Sequence, residues 1–434
     1  MRKRLIIALS ILLLVVLCIG YISFMEQKTV TLRFGMFAGS NWDVPNGDSY
    51  KIIDDVIQRF EAKHPNVKVE YVSGIRKEDY SEWLSQQALK GTLPDVYMVR
   101  SDDLYTFSEI GMLQNLNSYI KKDEDFHVDD YFTPALASGK YNKNQYALPY
   151  ESVPTLMYVN KTLLEKEGIA LPNENWTWDD FYRISRAVTK DANHDGVLDQ
   201  FGVYGYTWQN AVASNGAAIF KEDGTKILLD NPKVYDAISF TRKLEELNKG
   251  QSVTSEMFDK GMVAFCPMRF SEYRTYKPYP WRVKKYTNFE WDCIPMPAGP
   301  QGNNVSQLDT LLMGINAKSS HKSLSWEFLK MLTYDTSTQQ DIFRYSQGVS
   351  VLSDITGSKR VMEYLLKDAP GDSTFQMDFF NHTMENAIPN KKFTDYDQVI
   401  SVADSEIRRV LGTDEDIQTA INALKTKLDL MLQK

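Results

Sequence analysis

The sequence predicts an α/β fold built from βαβ units around a mostly parallel sheet. Over the first hundred residues, short alternating segments typical of strands take turns with amphipathic segments of helical length. The loops between these segments are short, as they are where a helix connects two parallel strands. The chain has 434 residues, which is enough for two domains that each bury a core of their own.

The first elements follow one another in a regular order. Apolar residues alternate over 30–34, which predicts a first strand, and a glycine-containing loop follows it. Helical spacing of apolar residues over 52–60 predicts a helix that ends at Pro65. A second strand over 67–71 precedes a helix that stops at Gly91. A third strand over 94–99 completes two βαβ units.

The later segments repeat this alternation. A strand reaches to residue 159, and a helix follows with Thr177 as its expected N-cap and acidic residues in its first turn. Residues 311–352 read as a strand, a sharp loop and two helices. Amphipathic helices are expected at 404–411 and 414–432, near the end of the chain.

Several of these segments together resemble the extracellular solute-binding proteins, family 1, which are the carbohydrate-binding components of ABC importers. The segments that carry the resemblance are 60–69, 91–96, 146–150, 258–265 and 311–352. The resemblance implies a two-lobed, periplasmic-binding-protein-like clamshell with several hinge crossings, near residues 147, 309 and 350. It also implies the division of the chain: lobe I comprises 29–147 and 309–349, and lobe II comprises 148–308 and 350–434.

The resemblance implies that the protein captures an extracellular carbohydrate, with an oligosaccharide expected, in the cleft between the lobes and delivers it to an ABC transporter permease. Sugar recognition needs aromatic faces for the apolar side of the ring and polar groups for the hydroxyls. By position in the family, the substrate-binding residues are expected to be Asn41, Trp42, Asp43, Asp102, Glu151, Trp208, Arg269 and Asp309. For each tryptophan, a place in the hydrophobic core is the competing interpretation.

Two other functions remain open at this stage, although no catalytic sequence motif favours an enzyme. A membrane-tethered glycosidase needs two facing carboxylates, which Asp43, Asp102, Glu151 and Asp309 have the composition to supply. A ligand-sensing subunit for a membrane sensor is the other alternative. The net charge of −8, with no basic stripe, argues against nucleic acid as a partner.

A possible calcium-binding loop follows the Thr177 helix. Its oxygen-bearing side chains lie at loop positions 1, 3, 5 and 9, with glycine at position 6, as in the first part of an EF-hand loop. The final glutamate of that motif is absent. We expect a structural Ca²⁺ held by Asp191, Asn193, Asp195, the carbonyl of Val197, Asp199 and Gln200. A solvated turn without a metal is the alternative.

The first 28 residues predict a membrane anchor or signal segment. Three basic residues within the first four precede residues 5–24, which contain no charged side chain. As a helix this stretch spans roughly 30 Å, enough to cross a bilayer with the rest of the chain outside the cell. Leu17 is a poor neighbour for a lipidated cysteine, so an uncleaved anchor is favoured over lipidation of Cys18 or ordinary secretion.

Two further questions stay open from the sequence. Cys266 and Cys293 form a disulfide or remain as thiols in strands, and the second interpretation is the simpler one. Trp281 and Trp291 flank a tyrosine- and proline-rich stretch that matches the family poorly, so the sequence assigns them no role.

Overall fold

A computed structural model of the chain describes residues 29–44, 48–72, 74–221, 224–276, 289–367 and 377–432. The expected membrane segment over 1–28, with Cys18, lies outside these residues, and so does Trp281. Within the described ranges, no helix has both the length and the apolar composition needed to cross a membrane.

Within the described residues, the strands form a nine-stranded mixed sheet and a separate two-stranded one. The strands are β1 (Val30–Gly35), β2 (Val67–Val72), β3 (Val96–Val99), β4 (Lys140–Tyr141), β5 (Asn144–Gln145), β6 (Ala147–Asn160), β7 (Phe201–Val203), β8 (Val263–Arg269), β9 (Trp291–Ile294), β10 (Gln307–Ile315) and β11 (Ile388–Pro389). The order in the large sheet is β2-β1-β3-β10-β6-β8-β7, with β11 on β10 and β9 on β6, and β4 pairs with β5.

Helices connect these strands and cover the sheet. In the segments predicted for lobe I they are α1 (Ser49–Lys63), α2 (Lys77–Lys90), α3 (Leu104–Glu109), α4 (Asn117–Lys122), α5 (Thr133–Ala137), α12 (Lys322–Thr333) and α13 (Thr336–Tyr345). The others are α6 (Lys161–Lys166), α7 (Trp178–Val188), α8 (Trp208–Ser214), α9 (Pro232–Glu245), α10 (Ser255–Asp259), α11 (Phe270–Tyr276), α14 (Ser353–Thr356), α15 (Lys359–Lys367), α16 (Met377–Glu385), α17 (Tyr396–Leu411) and α18 (Ile417–Leu432). Short 3₁₀ turns lie at Val128–Asp130 and Glu246–Asn248.

The predicted α/β class is confirmed, but the sheet is mixed rather than mostly parallel. The first three strands pair in parallel as expected, and so do β7 with β8 and β10 with β11. In contrast, β10 runs antiparallel to β3 and to β6, and β6 runs antiparallel to β8 and β9. The reason is that β6 and β10 are crossing strands, which return through the sheet instead of following a helix in the same direction.

The long strand β6 joins the two halves of the molecule. Its first part, to Pro154, pairs with β10, whereas its second part, from Thr155, pairs with β8. Leu148 packs into one hydrophobic core cluster and Val159 into the other. Val349 exchanges two backbone hydrogen bonds with Ser152, so a third chain segment meets β6 at the same place. The lobe boundaries themselves stay a prediction.

Local signals explain where several helices begin. Thr177 caps α7 as predicted: its hydroxyl accepts the Asp180 N–H, and the Asp180 carboxylate accepts the Thr177 N–H at 3.1 Å. The last helix begins at Ile417 rather than near residue 414, because the Asp416 carboxylate accepts the Thr419 N–H at 2.9 Å.

The helix expected over 404–411 begins earlier, at Tyr396. Val399, Ala403 and Ile407 recur every four residues and are all buried, so they continue the apolar face toward the N-terminus. The sequence therefore carries a signal for the longer helix.

The two cysteines of the second half do not bridge. Cys266 on β8 and Cys293 on β9 both lie opposite Tyr158, on either side of β6. Two strand spacings separate them, about 10 Å, which is beyond the reach of a disulfide. Trp291, on β9, stacks on Tyr158 with ring centroids 5.2 Å apart, which gives this tryptophan a packing role.

Candidate functional site

A polar site lies where the loop after β3 meets the segment before α17. The Asp102 carboxylate accepts a hydrogen bond from Arg100 Nη2 at 2.6 Å and forms an ion pair with Lys392 Nζ at 2.9 Å. Lys392 Nζ also lies 3.2 Å from Asp397. Because Asp102 belongs to lobe I and Lys392 to lobe II in the predicted division, this ion pair joins the two lobes across the expected cleft.

Asp309 and Tyr396 complete this site, which we call the cleft cluster (Asp102, Asp309, Asn390, Lys392 and Tyr396). Asp309 accepts a hydrogen bond from Asn390 Nδ2 at 2.9 Å. Burial raises the pKa of Tyr396; the charge of Lys392 opposes this rise, and the charges of Asp397, Asp309 and Asp404 add to it. Asp309 is thus one of several charges that act on this tyrosine.

Lys392 is the only cation of the cleft cluster, and neighbouring carboxylates favour its charged form. Burial would lower the pKa of Lys392, but its bonds to Asp102 and Asp397 outweigh this and raise the pKa above its ordinary value. Its Nζ also lies 5.5 Å from the centre of the Tyr396 ring. The cluster thus offers two carboxylates, an ammonium group and an amide, and these groups can exchange their mutual bonds for bonds to a ligand.

Aromatic rings stand beside the cleft cluster. The rings of Phe220 and Phe393 have centroids 5.0 Å apart, and both lie 5.5 Å from the ring of Tyr396. All three side chains are half-buried. Half-buried rings next to charged hydrogen-bonding groups are suited to a ligand with apolar faces and polar edges.

A second group of residues, the hinge cluster, surrounds the buried side chain of Glu151 on β6. Trp42 Nε1 donates to Glu151 Oε1 at 3.0 Å, and the Ser346 hydroxyl donates to Oε2. A Cβ at Gly348 would lie only 2.5 Å from Oε2, so only glycine permits this approach. Arg274, from α11, donates to the Gly348 carbonyl at 2.9 Å.

The environment of Glu151 perturbs its protonation. Burial raises the pKa of Glu151 to about 7, although hydrogen bonds from Ser346 and Trp42 and the charge of Arg274 oppose the shift. The guanidinium also donates to the carbonyls of Ile342 and Phe343 at the end of α13. The hinge cluster therefore joins the first loop of lobe I, the crossing strand, the third crossing and α11.

Strand register places three of the sequence-predicted residues on one face of the sheet. Asp309 lies opposite Val153, and Arg269 lies opposite Thr155. Directly opposed residues share a face, and so do residues two apart along a strand. Glu151, Asp309 and Arg269 therefore line one face of the sheet at the crossing, as a shared binding surface requires.

The two predicted stacking tryptophans are both buried in this conformation. Trp42 is 2% exposed and Trp208 is 4% exposed. Trp208 Nε1 donates to Asp404 at 2.7 Å, about two turns along α17 from Tyr396. Burial agrees with the competing core interpretation, and their binding roles stay predictions.

The neighbours of Trp42 in the first loop are held by a lysine. Lys77 Nζ forms an ion pair with Asp43 and donates to the Asn41 carbonyl at 2.9 Å. Asp43 is exposed and has φ 59°, in the left-handed region. The structure does not connect Asn41 or Asp43 with the cleft cluster by any contact among the described residues.

Sequence reasoning missed Asn390, Lys392 and Tyr396 because they reach the site only through the third crossing. Their segment has no motif of its own, and it follows a stretch with little periodicity. The one available signal was the crossing expected near residue 350, which implies that later residues return to the cleft edge.

The predicted calcium loop forms a set of tight turns. Asp191 accepts the N–H groups of Asp195 at 3.1 Å and Gly196 at 2.7 Å, and Asp195 accepts that of Val197 at 2.9 Å. The bonds from the Gly196 and Asp195 N–H groups lower the pKa of Asp191. Asp199 instead accepts the Ala192 N–H at 2.8 Å.

As arranged, no three acidic, histidine or cysteine side chains of the described residues converge on one point. Gln200, the outermost predicted ligand, donates its amide to Glu167 and to the Val188 carbonyl, so only its oxygen remains for a metal. Asn193 and the Val197 carbonyl, two other predicted ligands, are neither acidic nor histidine or cysteine side chains. The donor set consists of the oxygen ligands that Ca²⁺ prefers, and Asp199 is engaged by the Ala192 N–H.

Comparison with known proteins gives a consistent result. Residues 45–337 match the family of bacterial extracellular solute-binding proteins. An uncharacterised lipoprotein of Streptomyces antibioticus is 23% identical over 359 residues, covering 76% of this chain and 73% of that protein. The erythritol/L-threitol-binding protein of Mycolicibacterium smegmatis is 23% identical over 366 residues, covering 74% of each chain.

Solved structures share the fold. The cyclic alpha-maltosyl-1,6-maltose binding protein from Arthrobacter globiformis has a TM-score of 0.77 at 16% identity, over 93% of this chain and 99% of its own. The sugar-binding protein MalE from Xanthomonas citri has a TM-score of 0.75 at 16% identity, over 93% and 98%. The two-lobed binding-protein fold is therefore confirmed. The match covers more than half of the sequence, and this chain belongs to the bacterial extracellular solute-binding protein family.

Proposed function

We propose that the protein captures an extracellular carbohydrate between its lobes and delivers it to the permease of an ABC transporter. The observation that carries the proposal is the cleft cluster, in which Asp102 of lobe I meets Lys392 of lobe II beside three half-buried aromatic rings. The names of two similar proteins, one binding erythritol or L-threitol and the other cyclic alpha-maltosyl-1,6-maltose, support polyhydroxylated ligands as the class.

Binding would exchange protein–protein bonds for protein–ligand bonds. Sugar hydroxyls would donate to Asp102 and Asp309 and accept from Lys392 and Asn390. The half-buried Tyr396 group would cover an apolar ring face. Each carboxylate already has a partner, so a ligand must offer at least as many hydrogen bonds as it displaces.

The same carboxylates bear on the choice between binding and catalysis. A glycosidase needs two carboxyl groups that face one ligand, yet Asp102 is engaged by Arg100 and Lys392, and Glu151 is engaged by Trp42 and Ser346. We therefore propose a binding protein without turnover. A glycosidase and a sensing subunit are outcomes that the following experiment distinguishes.

The experiment is a thermal-shift screen against a panel of polyols and oligosaccharides, followed by calorimetry of each hit. A ligand at 100 times its dissociation constant stabilises the native state by about 2.7 kcal/mol. Asp102→Asn should weaken binding roughly 10- to 150-fold, because a hydrogen bond to a charged group contributes about 1.5–3 kcal/mol. Asp48→Asn, which alters an exposed ion pair with Lys51, is the matched control and should bind as the parent does.

Three results would overturn the proposal. Chromatography that finds the recovered sugar cleaved would favour the glycosidase. Equal affinity of the Asp102 and Asp48 variants would remove the cleft cluster from recognition. Binding without transport in a vesicle assay with the permease would favour the sensing subunit.

We also propose that residues 1–28 attach the protein to the outer face of the cell membrane. The basic start and the uncharged stretch over 5–24 support this, and a similar protein is named as a lipoprotein. A structural Ca²⁺ in the loop Asp191–Asp199 is a further proposal, supported by the oxygen side chains of its tight turns. Its expected role is to stabilise the loop, not to contact the sugar.

A further inference from the structure

An apolar patch stands out on lobe I. Leu89, in the last turn of α2, is 90% exposed, and Ile110, just after α3, is 62% exposed. Between them lies a pocket of about 400 Å³ that Ala88, Leu93 and Met112 help to line. Single exposed apolar residues are common on soluble proteins, but two large ones at the rim of an apolar pocket indicate a contact surface.

The patch lies at the edge of the sheet from which the N-terminal segment leaves. Leu93 shortly precedes β3, and its carbonyl accepts from Asn316 Nδ2 at 3.1 Å, just beyond the end of β10. Strand β1 is parallel to β3, with Phe34 opposite Val96. Val30 lies four residues before Phe34, so β1 extends about 13 Å past the start of β3. This places Val30 at the same edge of the sheet as the pocket, on the neighbouring strand.

The length of chain before Val30 restricts how far this edge can lie from the membrane. The uncharged stretch ends at residue 24, and only residues 25–28 precede the described part of lobe I. Four residues reach about 14 Å at full extension. This step rests on the proposed membrane attachment, because it takes residues 5–24 to lie in the bilayer.

The charges around the patch fit an anionic surface. Lys318 lines the pocket, Lys90 follows Leu89 in the chain, and both side chains are exposed without an acidic partner among the described residues. Glu109, next to Ile110, is also exposed, and the Asp95 carboxylate accepts a hydrogen bond from Ser319, the residue after Lys318. On a chain with a net charge of −8, the two lysines thus give the patch unpaired ammonium groups that an anionic surface would attract.

We infer that this patch rests on the lipid surface, with Leu89 and Ile110 in the headgroup region and the two lysines near lipid phosphates. An exposed apolar pair flanked by lysines is the pattern of an interfacial contact. A contact of this kind would hold lobe I against the membrane and leave lobe II to move about the hinge.

The test uses the full chain reconstituted in vesicles of phosphatidylcholine and phosphatidylglycerol. A spin label is placed at Leu89→Cys or Ile110→Cys. The background carries Cys18→Ala so that this thiol does not take the label, and Cys266 and Cys293 can stay because they are buried. Val197→Cys is the matched control, since Val197 is 54% exposed on lobe II. We expect oxygen, which partitions into lipid, to relax the labels at 89 and 110, and an aqueous nickel chelate to relax the label at 197.

Several outcomes would overturn the inference. Labels at 89 and 110 that respond to the nickel chelate as strongly as the label at 197 would place the patch in water. Spin–spin broadening at 89 would indicate a second copy of the chain as the occupant. Insensitivity of the two labels to Lys90→Glu and to Lys318→Glu would remove the anionic lipid contact.

Failure of the patch is distinguishable from failure of the proposed function. Flotation of the vesicles reports membrane attachment, and calorimetry on the same samples reports carbohydrate binding. A protein that floats and binds sugar while its labels stay aqueous refutes the lipid contact alone. A protein that does not float refutes the anchor and the contact together, and leaves carbohydrate binding to its own test.

Discussion

Replacing Glu151 by glutamine should change how the stability of the protein depends on pH. Burial raises the pKa of Glu151 to about 7 in the native state. The usual value of about 4.5 applies once the chain unfolds. The native state therefore holds the proton more tightly than the unfolded state does, and the contribution of Glu151 to stability falls as the pH rises between these values.

The size of the effect follows from the two pKa values. The Glu151 carboxyl ionises more readily in the unfolded chain than in the native state. This difference lowers the free energy of unfolding by about 0.8 kcal/mol at pH 5 and about 3.4 kcal/mol at pH 8. The difference of about 2.5 kcal/mol is the loss of stability expected across this pH range, and it already includes the opposing hydrogen bonds from Trp42 and Ser346. Glutamine has no such ionisation, and its amide fits the same space.

Urea unfolding of parent and Glu151→Gln at several pH values between 5 and 8 measures the effect. The variant should gain stability relative to the parent as the pH rises. Glu61→Gln is the control of opposite sign: burial would raise the pKa of Glu61, but the bonds from Lys68 and the Val69 N–H outweigh this and lower it, so this stabilisation is present at neutral pH and disappears in acid. A pH-independent difference between parent and Glu151→Gln would refute the reasoning.

Three further predictions concern other parts of the chain. Trp42→Ala should lower the free energy of unfolding by about 3–5 kcal/mol, as large core truncations do, and urea unfolding measures it; a large loss of sugar affinity with unchanged stability would instead favour a stacking role. Chelation should lower the melting temperature of the parent but not of Asp195→Ala, and identical melting curves for the parent with and without chelator would remove the calcium proposal. Membrane attachment should survive Cys18→Ala, and release of that variant into the soluble fraction would favour lipidation over the uncleaved anchor.

The strand and helix elements were largely predictable because they depend on local patterns. The alternation over β1 and the capping residue Thr177 are readable from neighbouring residues alone. The mixed direction of the sheet was not, because β10 pairs with β3 and β6 across long separations in sequence. Periodicity states which face of a strand is apolar, but it does not state which neighbour the strand will pair with.

The same limit applies to the candidate site: local patterns predict some of its residues but not the partners of those residues. Asp102, Glu151 and Asp309 were named from their positions after or within strands, and each lies in a polar cluster of the structure. The sequence does not identify their partners, because Ser346 lies 195 residues from Glu151 and Lys392 lies 290 residues from Asp102. A residue type and a loop position predict that a group faces a cleft, whereas its partner depends on the tertiary fold.

Hinge and cleft are connected through a single strand. Glu151 lies on β6, and Val153, two residues along the same face, lies opposite Asp309 of the cleft cluster. The Glu151 carboxylate is also bonded to Ser346 of the third crossing and lies near Arg274 of α11. A change in the angle between the lobes must alter these bonds, because they join segments on both sides of the crossing. Glycine at position 348 preserves the close approach on which they depend, so the geometry of the hinge and the placement of Asp309 are set by the same few residues.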